Sequence, residues 1–397
     1  MPNPIFADLP TTIFEVMSAQ ARETGAINLG QGFPDDAGPE PLRRKAAQAV
    51  IDGSNQYPPM RGLAALREAV AEHYRARQGL ALDWAREITI TCGATEALAA
   101  SLLALIRPGD EVVLFQPLYD SYLPMVRLAG GVPRLARLTP PDWRIDRAML
   151  EAVFTSATRL VVFNNPLNPA GVVASAEDLA LLAEFCVAHD AVAVCDEVWE
   201  AVVFAPQIHR PLIGFPGMAQ RCVKIGSAGK MFGLTGWKVG WACAAPPLSE
   251  ANAKAHQFLT FTTAPNLQAA VAWGLTQDDD WFDAMPAALA TSRERLAAGL
   301  RREGFAVLDG AGTYFLNIDL PASGVALDDR TFALHAVRAA GVASIPVSAF
   351  YETDPVTHVL RLCFSKADAT LDEGVRRLAR ARDLAESLPI PAAPAGR

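Results

Sequence analysis

A lysine set among small residues directly after an apolar run is the first position in this sequence that could do covalent chemistry. Six lysines stand against twenty-nine arginines, and one of them, Lys230, closes the stretch Val223-Lys-Ile-Gly-Ser-Ala-Gly-Lys230. Small residues let the backbone approach a ligand closely, and a desolvated lysine can lose its proton and attack a carbonyl carbon. An ordinary lysine on a glycine-rich turn would read the same way, so a second group is needed. Asp196 supplies it, following the apolar run Ala191-Val-Ala-Val-Cys195 at the carboxyl end of a predicted buried strand. An unpaired carboxylate is costly there. A protonated pyridine nitrogen is a suitable partner, held by a charge-assisted hydrogen bond of roughly 1.5–3 kcal/mol. Lysine and aspartate together suggest pyridoxal phosphate chemistry.

An α/β architecture would position these two residues. From about residue 41 to 275, short β-branched runs alternate with Ala/Leu-rich helical stretches, the pattern of a mainly parallel sheet flanked by helices. Strands are predicted at 88–91, 112–115, 160–163, 191–195 and 223–226, each nearly continuously apolar, as suits strands buried on both faces. Polar residues cluster just beyond their C-terminal ends, where open α/β sheets bind ligands. That makes 93–95, 164–171, Asp196 and 227–230 the candidate site loops. After Asp278-Asp279-Asp280 the pattern becomes that of a smaller α+β unit: a helix over 293–302, strands at 306–308 and 314–318, a helix near 331–340, a strand at 359–364 and a closing helix over 371–388. The expected division is a large α/β domain over 41–280 and a small α+β domain, 1–40 with 281–397, closing over the site. Arg376, Arg377, Arg380 and Arg382 on the closing helix read as a solvated face, and the Pro/Ala tail 389–397 as a fraying end.

Composition excludes several classes. Hydrophobic residues make up 51% and charged residues 20% of 397, with no apolar run near the ~18 residues a membrane helix needs. A net charge of −8 offers no overall attraction to nucleic acid. The six cysteines are scattered without a C-x-x-C pair and read as reduced core thiols, and the six histidines form no metal-binding spacing, so no metal is expected. The N-terminus lacks a basic segment followed by a long apolar stretch, and a cytoplasmic location is expected. Ile225 stands two positions before Ser227, where a hydrolase nucleophile elbow needs glycine, and no G-x-G-x-x-G opens a helix after a strand.

Ordered motifs across nearly the whole chain then carry a resemblance. They are Asn28-Leu-Gly-Gln-Gly-Phe-Pro-Asp35, Asn55-Gln-Tyr57, Thr91-Cys-Gly-Ala-Thr-Glu-Ala97, Gln116-Pro-Leu-Tyr-Asp-Ser-Tyr122, Asn165-Pro-Leu-Asn-Pro-Ala-Gly171, Asp196-Glu-Val-Trp199, Ser227-Ala-Gly-Lys230, Thr235-Gly-Trp-Lys-Val-Gly240 and Arg361-Leu-Cys-Phe364. The sequence resembles the fold-type I, class I/II pyridoxal-phosphate aminotransferases, especially the kynurenine and methionine aminotransferase branch. The resemblance implies pyridoxal 5′-phosphate as cofactor, with Lys230 as its Schiff-base lysine and proton shuttle and Asp196 facing the ring nitrogen. It implies that Asn168 donates to the ring phenolate, that Tyr119 stacks on the ring, and that Gly93, Ala94 and Thr95 with Ser227 and Lys238 cup the phosphate. Tyr57 would reach the phosphate from a neighbouring subunit of a homodimer. Arg361 would bind the substrate α-carboxylate through both oxygens, Gly32 would add a backbone contact, and Asn168 would also face the substrate.

Two positions depart from the family pattern: Lys238 stands where many members have arginine, as in the kynurenine branch, and Trp199 stands where relatives usually have a tyrosine. The implied activity is transamination between an L-amino acid (methionine, aromatic, kynurenine or glutamine type) and a 2-oxo acid, with Phe33, Phe350 and Tyr351 suited to an apolar side-chain pocket. A cysteine-conjugate β-lyase using the same residues is the alternative. A cofactor-sensing module fused to a DNA-binding domain is not expected, because the sequence starts almost at the first helix the resemblance implies. Trp199 brings only an indole N–H where a phenol would donate to the ring phenolate, so the lysine–cofactor linkage should hold its proton to higher pH. A Trp199→Tyr variant should therefore lower the pH at which the visible band of the bound cofactor titrates; an unchanged or higher midpoint contradicts this reading.

Overall fold

The computed structural model describes residues 3–7 and 9–386. Seven strands form the main sheet: β1 Ile88–Thr91, β2 Glu111–Gln116, β3 Val132–Arg137, β4 Thr158–Asn164, β5 Val192–Asp196, β6 Cys222–Ser227 and β7 Gly240–Ala244. Their spatial order is β1-β7-β6-β5-β4-β2-β3, with β7 antiparallel to both neighbours and every other pair parallel. The expected α/β class with a mainly parallel mixed sheet is what forms. Alternate residues explain the apolar runs. Val112, Leu160, Val194 and Ile225 pack into one buried cluster, and Val113, Val161, Ala193 and Cys222 into another.

Two strands of the main sheet escaped the sequence pattern. β3 is an edge strand carrying Pro133, Arg134 and Arg137, tolerable where one side of the ladder is open. β7 reads Gly-Trp-Ala-Cys-Ala, too small in its side chains to signal a strand. Gly240 opens it because a Cβ there would come within 2.7 Å of the Gly93 carbonyl carbon. Gly93, at φ +76°, starts helix α1 (Gly93–Leu105) against Lys238, whose Nζ would be 3.1 Å from an added Cβ.

A second, antiparallel sheet has β8 Ala306–Leu308, β9 Phe315–Asp319, β10 Ile345–Pro346 and β11 Val359–Cys363 in the order β10-β11-β9-β8. Its Leu316, Ile318 and Leu360 share the first of the two clusters with the main sheet. Ile27–Asn28 pairs in parallel with Val342–Ala343 and so fixes the start of the 28–36 segment. The helix expected over 293–302 begins much earlier, at Asp279 capped by Asp278, and runs through Pro286 to Arg302 as α2. The closing helix α3 is Asp368–Ala385. Its arginines are not simply solvated: Arg377 donates to the Gly341 carbonyl and Arg382 to that of Glu303, while Arg376 pairs with Glu373. The expected end of this helix at 388 and the 389–397 tail lie outside the described residues. Five of the six free cysteines are buried and Cys92 is partly so.

Behind the end of β5 lies a buried ionic cluster. Lys224, fully buried on β6, donates to Glu197 Oε2 and Glu200 Oε2 at 2.5 Å each. His209 Nε2 lies 3.1 Å from Glu197 Oε2, and Leu212 N donates to Glu197 Oε1. Tyr74 donates to Glu200 Oε1 and itself accepts from Trp241 Nε1, both at 2.7 Å. Burial alone would raise the Glu197 carboxyl, but Lys224 and His209 hold it down to about 2. Glu197, Glu200 and His209 have the proximity of a metal site, yet the ammonium of Lys224 already meets their charge.

Removing one member of a buried pair strands the other, at a cost of about 3–5 kcal/mol. Lys224→Met should lose that much in urea unfolding at neutral pH, and a loss below about 1 kcal/mol would contradict this account. Because Glu197 is held below its ordinary value of 4.5, its share of stability is complete above that pH and is lost as pH falls towards 2.

Candidate active site

The turn after β1 and the carboxyl ends of β4, β5 and β6 meet around a cavity of about 250 Å³. Gly93, Ala94 and Thr95 line it from the first turn of α1, together with Ser227 at the end of β6 and Lys238. Lys238 has left-handed φ of 52° and lies against Gly93. The first N–H groups of α1 have no intrahelical acceptor, so amide donors and an ammonium converge as an anion site needs. Tyr119, Asn168, Asp196, Trp199 and Lys230 complete the lining named from sequence.

Asp196 is buried at the end of β5. Tyr122 donates to its Oδ2 at 2.5 Å and Val198 N to its Oδ1 at 3.4 Å, while Asn164 Nδ2 holds its main-chain carbonyl at 2.8 Å. Burial raises the Asp196 carboxyl, and the donors and Lys230 only partly oppose it. A cationic ring nitrogen would relieve that penalty. Lys230 is buried too, and burial pushes its amine down to about 8 against the pull of Asp196, with Arg361 and Lys238 lowering it further. Its Nζ stands 4.6 Å over the Trp199 ring and 3.3 Å from Tyr314 Oη.

Arg361, central on β11 and 1% exposed, donates to Asn168 Oδ1 at 2.7 Å and to the Gly30 carbonyl at 2.9 Å. Among the described residues no carboxylate lies within ion-pair distance of it, and its Nε is buried without an acceptor. The rings of Phe315, Phe14 and Phe350 surround the guanidinium at 3.8, 5.3 and 5.3 Å. Because the Asn168 carbonyl faces Arg361, its NH₂ is left to donate elsewhere. Free helix-start amides with an ammonium, a buried carboxylate and an amine whose proton is loosened by burial thus share one cavity. That donor set fits a group with a phosphate, a basic ring nitrogen and a carbonyl carbon.

Ten of the thirteen residues named from sequence line this cavity, and Arg361 joins through Asn168 and Gly32 through Tyr314. Tyr57 does not line it. It is 82% exposed, edge-on to Phe261. Phe350 packs on Arg361, whereas Tyr351 donates to the Leu138 carbonyl and packs against the second buried cluster. Sequence reasoning missed Asn164, Tyr122 and Tyr314. The first two lay inside segments already singled out, and Tyr314 carried no local signal beyond the start of a strand. A further cleft of about 650 Å³, lined by Phe232, Trp281, Met285 and Leu289, meets the site at Lys230 and Tyr314.

A family model for aminotransferases of class I and II matches residues 24–378. The solved N-succinyldiaminopimelate aminotransferase of Mycobacterium tuberculosis superposes with a TM-score of 0.92 at 44% identity, over 96% of this chain and 100% of that one. The methionine aminotransferase of Escherichia coli is 40% identical over 95% of this chain and 98% of its own length. Kynurenine–oxoglutarate transaminase 3 of Mus musculus is 34% identical over 92% and 86%. These relatives carry aminotransferase names, and nothing among them supports the β-lyase alternative. Among the described residues no helix is long and apolar enough to cross a membrane.

The state of Lys230 is measurable without turnover. Since a neutral amine attacks a carbonyl, the rate at which cofactor-free protein captures pyridoxal phosphate should rise with pH through about 8. A midpoint near the ordinary lysine value of 10.5 would contradict the burial argument.

Proposed function

The chain belongs to the class I and II aminotransferases, which depend on pyridoxal 5′-phosphate, and from that premise we propose that it transfers an amino group from an L-amino acid of methionine, aromatic, kynurenine or glutamine type to a 2-oxo acid. The observation that carries this reading is the buried Arg361, a planar cation with no carboxylate against it among the described residues, beside a lysine whose proton is loosened by burial. An α-carboxylate satisfies both faces of that problem, because it accepts two parallel N–H bonds and balances the charge.

Bound cofactor supplies the carbonyl carbon that takes the amino group and a ring that accepts the electrons of the broken Cα–H bond. The chain supplies position and protons. Lys238, Ser227 and the amides of Gly93, Ala94 and Thr95 would hold the phosphate. Asp196 would hold a proton on the ring nitrogen, the Asn168 NH₂ would donate to the ring oxygen, and Tyr119 would pack on the ring. Arg361, with Asn168 and Gly32, fixes the carboxylate, so that the substrate Cα–H is presented to Lys230 Nζ, which takes the proton and returns it. The cleft lined by Phe232, Trp281 and Met285 suits side chains of methionine, aromatic, kynurenine or glutamine type, and the substrates in the names of the three relatives are all longer than aspartate. We place the enzyme in the cytoplasm as a homodimer in which Tyr57 of the partner subunit completes the phosphate site. In it a 41–280 domain carries the cofactor, and 1–40 with 281–397 closes over it.

Single L-amino acids added to the loaded protein without an oxo acid should bleach the yellow band, with methionine and aromatic donors faster than aspartate by at least about tenfold, a difference of 1.4 kcal/mol in barrier. Bleaching by none of them overturns the reading. Arg361→Lys, which gives up the planar fork, should lower kcat/KM about 10- to 100-fold, the equivalent of one charge-assisted bond.

A further inference from the structure

Tyr314 has no role in the preceding account, yet it touches three parts of the site. Its oxygen accepts from Lys230 Nζ at 3.3 Å, and its hydroxyl proton is donated to the Gly32 carbonyl. Its ring meets Trp199 edge-on, with centroids 4.4 Å apart and planes at 88°. The phenol is 2% exposed, and burial keeps it protonated well beyond the usual tyrosine range.

The backbone that presents it is strained. Thr313 has φ of +64°, a left-handed conformation that a β-branched residue rarely adopts. It is fully buried there, its N–H donating to the Val202 carbonyl at 2.8 Å and its Oγ1 accepting from Phe315 N at 3.1 Å. Such strain persists where the surroundings over-determine it, and it gathers at sites where a side chain must be aimed. Here the residue aimed is Tyr314, immediately before β9.

We propose that Tyr314 is a positioning residue for Lys230: its oxygen takes one N–H of the free amine and so directs the nitrogen lone pair into the cofactor cavity, while its own proton, given to Gly32, holds the phenol to the acceptor role. The inference rests on Lys230 being the lysine that bonds the cofactor. A neutral amine has two N–H donors and one lone pair in a tetrahedral arrangement. With one N–H fixed and the Trp199 ring beneath, the rotations that would turn the lone pair away are restricted. The same contact couples the lysine to the 28–36 segment, which also supplies the Gly30 carbonyl to Arg361.

The test is Tyr314→Phe, which keeps the ring. In cofactor-free protein the pH midpoint for capture of pyridoxal phosphate should fall by about half a unit to one unit, because the charged amine loses an acceptor, and the limiting rate at high pH should fall about tenfold. With loaded enzyme, kcat should fall more than KM rises, and the isotope effect with α-deuterated methionine should grow. Borohydride reduction followed by peptide mapping should still find the cofactor on Lys230; label elsewhere would overturn the reading of Lys230 itself. An unchanged midpoint and isotope effect with the label on Lys230 would overturn the role of Tyr314 alone. Should the phenylalanine variant fail to fold, 3,5-difluorotyrosine at 314, a poorer acceptor of nearly the same shape, should move the midpoint in the same direction by a smaller amount, and no movement overturns the proposal.

Discussion

A guanidinium held out of water, with no carboxylate against it among the described residues, is the arrangement on which the rest of this site depends. An isolated buried charge costs several kcal/mol, and the chain reduces that cost without cancelling it. Two acceptors, Asn168 Oδ1 and the Gly30 carbonyl, take hydrogen bonds from Arg361, and three phenylalanine rings face it, but Nε keeps no partner. Each of these groups comes from a different part of the chain. The turn after β4 delivers Asn168, the short pairing of Ile27–Asn28 with Val342–Ala343 leads into Gly30, and the register of β9 with β11 sets Phe315 near the guanidinium. An incoming carboxylate therefore gains what the protein withholds.

The same fold treats like residues in opposite ways. Asp196 and Glu197 are adjacent and both buried, yet the first carboxyl is raised and the second is held down to about 2. Two ammonium and imidazole partners surround Glu197, whereas Asp196 has mainly neutral donors and one distant lysine. Lys224 and Lys230 repeat the contrast six residues apart. Lys224 lies between two carboxylates and is raised above its ordinary value, while Lys230 is lowered towards neutrality. The satisfied cluster anchors the end of β5, and the unsatisfied groups next to it are left for ligands. Placing both within one strand end keeps the reactive groups on a rigid support.

Much of this was legible in the sequence because strands buried on both faces leave continuous apolar runs, and polar residues just past them mark where ligands bind. That logic located Asp196, Asn168, Ser227 and Lys230. It failed where the physical signal was weak. The edge strand β3 carries Pro133 and two arginines, β7 is built of small residues, and the early turns of α2 are acidic with Pro286 inside the helix. Tyr351 has the composition of a pocket residue, but its hydroxyl is drawn to the Leu138 carbonyl.

What the sequence by itself determined is the set of chemical groups and the loops that bear them: an amine, a carboxylate, an amide, a guanidinium and a glycine-led helix start, each tied to a local pattern of a few residues. What only the tertiary structure decided is their state and their partners. Lys230 becomes an amine that gives up its proton more readily than an ordinary lysine, the Asn168 amide turns its carbonyl to Arg361, and Tyr122 and Tyr314 enter the site from segments distant in the chain. Charge state and hydrogen-bond direction depend on burial and on distances between atoms, and those distances are fixed when strands far apart in sequence are packed together.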